Sequence, residues 1–151
     1  MPEKETIEKA REDEREGKAP STQAGEFVKE EIHHVREGKH GARSAKQAIA
    51  IGLSKARRAG VKLPPPKEGT ASAETRSSAK RDLAKGQKAA NAKPSARRSQ
   101  ATTEALEREG HASASHTALS RQASASAKSR SAASRSSAAR KAARTKAARQ
   151  G

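Results

Sequence analysis

Thirteen residues supply all the Ile, Leu, Val and Phe of this 151-residue chain, and that scarcity limits its fold more than any other feature. Burial of large apolar side chains, at roughly 1.5 to 3 kcal/mol each, is the main force set against lost conformational entropy. Thirteen such residues are too few for one core spanning the chain. Alanine, with 33 copies, favours helix but adds little burial. With 33 Lys and Arg against 17 Asp and Glu, a net charge of +16, the composition predicts an all-α and largely disordered chain.

Nine of the thirteen fall between residues 21 and 66, and their spacing is helical. Ala24, Phe27, Val28, Ile32 and Val35 form one face of a helix expected over about 22–37, with Ser21 as its N-cap and Gly38 as its stop. Glu31 falls inside that face, either as a rim residue or as the partner of a base on the next helix. Ser44 and Gln47 have capping-box spacing, and Ala45, Ala48, Ile49, Gly52, Leu53, Ala56 and Ala59 then mark a second helix over about 45–59. Gly60 stands where a left-handed C-cap belongs, and Ile51 points away from the stripe. The two helices are expected to form a hairpin module over 21–66. Val61 and Leu63 fold back before Pro64, Pro65 and Pro66. Ordering about 40 residues at about 1.5 kcal/mol each offsets the burial of nine side chains, so the hairpin predicts self-association or a ligand.

The flanks are weaker in pattern. Residues 1–20 alternate acid and base, with Glu5 and Lys9 and Glu14 and Lys18 at helical i,i+4 spacing, and read as a charged, solvated N-terminal helix. Residues 67–101 have Leu83 as their one large apolar side chain and read as a basic linker with transient helix. A second short helical element is expected over 102–127, where Arg108, Glu109 and Gly110 echo Arg36, Glu37 and Gly38. Residues 128–151 are almost entirely Ser, Ala, Arg and Lys without an apolar face. The expectation there is a disordered tail that becomes helical when phosphates neutralise its arginines.

Charge is segregated along the chain. Eleven of the seventeen acids precede Gly38, while Lys39 to Lys67 and Gly110 to Gly151 contain none. Acid-free cationic blocks are suited to a polyanion. On the second helix the candidate phosphate contacts are Arg43, Lys46, Lys55, Arg57 and Arg58, beside the backbone amides at the Ser44 end. On the tail they are Arg130, Arg135, Arg140, Lys141, Arg144, Lys146 and Arg149. The Gly38–Arg43 connector is longer than the turn of a helix-turn-helix, which argues against that docking mode. Phe27 is the one aromatic residue, so base stacking and sequence-specific RNA reading have almost nothing to work with.

Other chemistries are excluded or disfavoured. The chain has no Cys, hence no disulfide, thiolate nucleophile or Cys zinc site. No phosphate loop or nucleophile context is present, and no enzymatic activity or cofactor is expected. His33, His34 and His40 invite a metal reading, but adjacent histidines on a helix point about 100° apart, and they read as surface residues. The absence of an apolar N-terminal run or of 18 consecutive apolar residues predicts a cytosolic protein with no membrane span. The second helix also lacks the bulky apolar face of an interfacial membrane helix.

The run GKHGARSAKQAIAIGLSKARRAGVKLPPP, preceded by TQAGEFVKEEIHHVREG, resembles a bacterial family of small basic proteins marked by a KQAIAIGLSKARRAG-type helix. The resemblance covers about residues 1–67, and residues 104–123 are similar to a second element in some members. It brings no established activity, and members are sometimes labelled DNA-binding on composition alone. The Ala, Lys, Arg and Ser-rich tail is similar in composition to the tails of bacterial histone H1-like proteins. The acid-free cationic blocks lead to the expectation of sequence-independent DNA binding in the nucleoid, with structured RNA as a second polyanion. A hydrophilic stress or interaction protein, whose hairpin docks a protein partner through Ile51 and the acidic first helix, is the alternative.

Overall fold

The computed structural model describes residues 1–88 and 95–150. Among these are seven α-helices, one 3₁₀ turn and no strand. The chain divides into two units, Met1–Ser115 and His116–Gly151.

The first unit is built around the expected hairpin. Helix α2 runs Pro20–Arg36 and α3 runs Ala45–Arg58. The N-cap of α2 is Ala19 rather than Ser21, with Pro20 at the first helical position, where its missing N–H is no loss. In α3, Ser44 is the N-cap and its Oγ accepts from the Gln47 N–H at 3.2 Å, while Gln47 Oε1 accepts from the Arg43 N–H at 2.7 Å. Gly60, at φ 103°, takes the left-handed position past the α3 end. The Val61 N–H then donates to the Ala56 carbonyl at 3.1 Å, and the turn delivers Val61 into the core.

The helices pair antiparallel, since Ala24 and Phe27 share one cluster with Ala56 and Val61, and Val35 shares another with Ala48. Small residues govern the approach. Ala48, Gly52 and Ala56 are buried at i,i+4 spacing along α3, whereas Ile49 and Leu53 are only half-buried. A Cβ at Gly52 would meet the Val28 backbone, with Cα 2.6 Å away, so glycine is required by contact.

The cover that the hairpin lacked in sequence comes from three neighbours. Helix α1, Lys4–Arg15, buries Ala10 against Phe27 with Ile7 at the edge, and the Glu3 N–H donates to Glu30 Oε2 at 3.1 Å. Helix α4, Ala73–Lys88, packs on α3 with Ala79 and Gly86 buried. The 3₁₀ turn Ala112–Ala114 places a fully buried Ala114 against Val35, Ala42 and Ala48. Its carbonyl accepts from Arg36 Nε at 2.8 Å.

The expectation of a largely disordered chain is overturned. The stretch 67–101, read as a linker, contains α4 and the start of α5, Ala96–Glu107; its portion 89–94 lies outside the described residues. The element expected over 102–127 is divided among the end of α5, the 3₁₀ turn and α6, His116–Ser129. Most of the stretch read as a disordered tail is α7, Ala132–Gln150. Two physical reasons account for this. Ala, Arg and Lys are strong helix formers, and Ser131 Oγ caps the start of α7 by accepting from the Ser134 N–H at 3.2 Å. In α4, contact is made by alanine and glycine, which area-based reasoning counts as almost nothing.

Candidate nucleic-acid interface

Helix α3 presents fewer free cations than its sequence suggests. Arg43, Lys46 and Arg58 are exposed. Lys55 is mostly covered and its Nζ lies 2.6 Å from Glu31 Oε2 and 3.9 Å from Glu30 Oε1. Arg57 is buried, donating from Nε to the Leu63 carbonyl and from Nη2 to the Pro64 carbonyl, both at 3.2 Å. Burial pulls the Arg57 guanidinium below its ordinary value, with Asp82 acting in the opposite direction. Lys55 and Arg57 therefore hold the fold together: one neutralises a buried carboxylate, and the other ties the proline run to α3. The Ser44 end likewise has its Gln47 N–H taken by the cap.

Helix α4 supplies cations that the sequence reading passed over. Lys80, Arg81, Lys85 and Lys88 are exposed. At about 100° per residue Arg81, Lys85 and Lys88 fall within about 60° of one another, on the side opposite buried Ala79 and Gly86. Ala79, Leu83 and Gly86, at offsets 0, 4 and 7, were the available signal. It was faint because two of the three carry one side-chain carbon or none.

The second unit is the most uniformly cationic surface. Residues 127–150 are all exposed, and no Asp or Glu occurs from Gly110 onward. Arg130 sits at the break between α6 and α7; Arg135, Arg140, Lys141, Arg144, Lys146 and Arg149 lie on α7. On a helical projection of about 100° per residue, Arg135, Lys146 and Arg149 group within about 60°, while Arg140, Lys141 and Arg144 group within about 100° on the opposite side. Two cationic rows thus flank a helix of 19 residues, about 28 Å long.

The acids of the chain collect elsewhere. Glu31 is fully buried, and Glu30 nearly so. Glu31 meets Lys55 through Oε2 and lies 3.1 Å from His40 Nε2 through Oε1. Glu3 Oε1 lies 3.0 Å from His34 Nε2 and 3.3 Å from Lys39 Nζ, and those contacts hold the Glu3 carboxyl below its usual range. Of the three histidines read as surface residues, His33 is exposed, whereas His34 and His40 are largely covered. No apolar docking patch accompanies these charges. Ile51 is half-buried, and among the described residues the one exposed large hydrophobic side chain is Met1, at 87 %. No helix among the described residues is long and apolar enough to cross a membrane.

Comparison with known proteins adds one finding. No curated protein and no solved structure matches the chain, and the likeness of its C-terminal part to histone H1-like proteins stands on composition alone. Residues 4–67, which span α1 to the proline run, match the model of a family of unknown function (DUF6496) and are in that stretch similar to its members.

Proposed function

We propose that this protein binds DNA without regard to sequence, as a non-catalytic, nucleoid-associated protein. The observation that carries the reading is the α6–α7 unit, in which nine exposed Lys and Arg share their unit with no carboxylate. Cations without a carboxylate nearby hold their full attraction for phosphate, whereas Lys9 on α1 and Lys18 just after it are already paired with acids. The rows on opposite sides of α7 suit a groove. A helix about 10 to 12 Å across fits a major groove about 12 Å wide, and each row then faces the phosphates of one strand. The polyanion need not fold this segment; it meets a helix already formed, which lowers the ordering cost of binding. Arg43, Lys46 and Arg58 on α3, with Lys80, Arg81, Lys85 and Lys88 on α4, give the first unit a weaker cationic surface of its own. Contacts of this kind position a protein on the duplex but carry no base information.

Fluorescence anisotropy against unrelated duplexes over a range of salt tests the reading. Neutralising nine phosphates gives log K a slope of about −8 against log salt, with little difference between duplex sequences. A chain ending at Ser115, the boundary of the first unit, is expected to lose most of the affinity and most of the slope. No binding by the full chain at low salt, or an unchanged slope after that truncation, would overturn it.

A further inference from the structure

We propose that Glu31, His34 and His40 form a binding site for a single divalent transition-metal ion, with Zn²⁺ the first candidate. Each residue offers one ligand atom, and these atoms all lie within 4.8 Å of one another. The set arises from two short-range features. Glu31 and His34 stand at i,i+3 on α2 and so share a face, and the chain reversal after α2 returns His40 to that face. Two nitrogens and one carboxylate oxygen suit zinc and its neighbours in the first transition row rather than calcium or magnesium.

The hydrogen bonds around the cluster leave ligand electrons aimed inward. His40 Nδ1 lies 3.0 Å from the Gly41 carbonyl, an acceptor only, so Nδ1 carries a proton and, in the neutral ring, Nε2 carries the lone pair. His34 Nε2 lies 3.0 Å from Glu3 Oε1, likewise an acceptor, which in the neutral ring leaves the lone pair on Nδ1. Carbonyl and carboxylate partners on the far nitrogen are what orient metal-binding histidines. With both rings neutral, two buried oxygens meet these nitrogens without a proton between them. Glu31 Oε1 is 3.1 Å from His40 Nε2, and Glu30 Oε1 is 4.0 Å from His34 Nδ1, yet neither oxygen has a hydrogen-bond partner. An orphaned carboxylate oxygen in the interior is costly. Atoms that ligate one ion point at the ion and not at each other. With bonds of about 2.1 Å, two ligands of one zinc ion stand about 3.0 to 3.4 Å apart, and the Glu31–His40 separation lies in that range.

Charge argues the same way. Glu3, Glu30, Glu31 and Glu37 face Lys39 and Lys55, which leaves the cluster two positive charges short when both histidines are neutral. Lys55 binds Oε2 of Glu31 and leaves Oε1 for the ion. His34 lies in the last turn of α2, where the helix dipole favours a cation. The ion would lock His40 to α2. His111 Nδ1 donates to the His40 carbonyl at 3.2 Å, and the Gly41 N–H to the Leu106 carbonyl at 2.9 Å, so the clamp would extend to the last turn of α5 and the segment after it.

The test uses the full chain, stripped of metal, titrated with Zn²⁺ against a chromophoric chelator at neutral pH and with Co²⁺ by visible absorption. One equivalent of Zn²⁺ is expected to bind and to raise the melting temperature. His40→Gln and His34→Gln are each expected to weaken binding at least about tenfold, while His33→Gln, one residue from the site but exposed, leaves it unchanged. Circular dichroism checks that each variant remains helical. His40→Cys guards against a trivial loss of fold: the protein has no other Cys, so Co²⁺ bound at this site must acquire a thiolate-to-metal absorption band. Failure of the unaltered chain to take up Zn²⁺ overturns the proposal. So does equal weakening by His33→Gln and His40→Gln, or a folded His40→Cys protein that binds Co²⁺ without the thiolate band.

Discussion

Single residues in this protein matter where something small or charged has been placed inside. Gly52→Ala would gain about 1 kcal/mol of helix propensity, but its Cβ meets the Val28 backbone, and overpacking costs about 1 to 3 kcal/mol. The net expectation is a less stable protein, read as a lower urea midpoint; a rise would show that α2 and α3 part easily. Lys55→Met removes the cation beside a fully buried Glu31, and breaking a buried pair from one side costs about 3 to 5 kcal/mol. Adding Glu31→Leu in the same chain is expected to return much of that loss, because the uncompensated carboxylate is gone. Glu31 itself was half legible in sequence, since its place on the apolar face of α2 left open whether it met the rim or a base. The base could not be named, because every Lys and Arg of α3 looks alike until the helices are set in register.

Elements were legible to the extent that they carry large side chains. Helices α2 and α3 follow from Phe27, Val28, Ile32, Val35 and the Ser44 cap, and their observed ends lie within two residues of the expected ones. Helix α4 was not legible, for its contact with α3 is made by Ala79 and Gly86. A Cβ at Gly86 would collide with the Arg57 carbonyl. Gly86→Leu is therefore expected to separate α4 from α3 and leave α1–α3 folded, seen as protease cutting within 73–88 before any cutting of the hairpin. The same blindness applied to α7. With no buried residue it lacks the amphipathic pattern by which helices are found, and its helix rests on propensity and the Ser131 cap.

At the scale of the whole molecule, the division of charge was plain in the sequence but the use of each charge was not. Acids gathered before Gly38 turn inward as well as outward, with Glu30 and Glu31 buried and one candidate cation of α3 claimed by them. The surface we propose for a polyanion is mostly in the second unit. Replacing Arg135, Arg140, Lys141, Arg144, Lys146 and Arg149 of the full chain by Gln is expected to reduce the salt slope of DNA binding by about 5. Circular dichroism is expected to keep α7 helical, since Gln is a comparable helix former. A slope that stays the same would move the binding surface to α3 and α4.

The ridge of Ala48, Gly52 and Ala56 has a further consequence for how the fold answers temperature. Helices that meet backbone to backbone withdraw little apolar surface from water for each residue they order, and the heat capacity of unfolding follows that surface. The free energy of this protein is accordingly expected to be a shallow function of temperature. Cooling is expected to weaken the fold little.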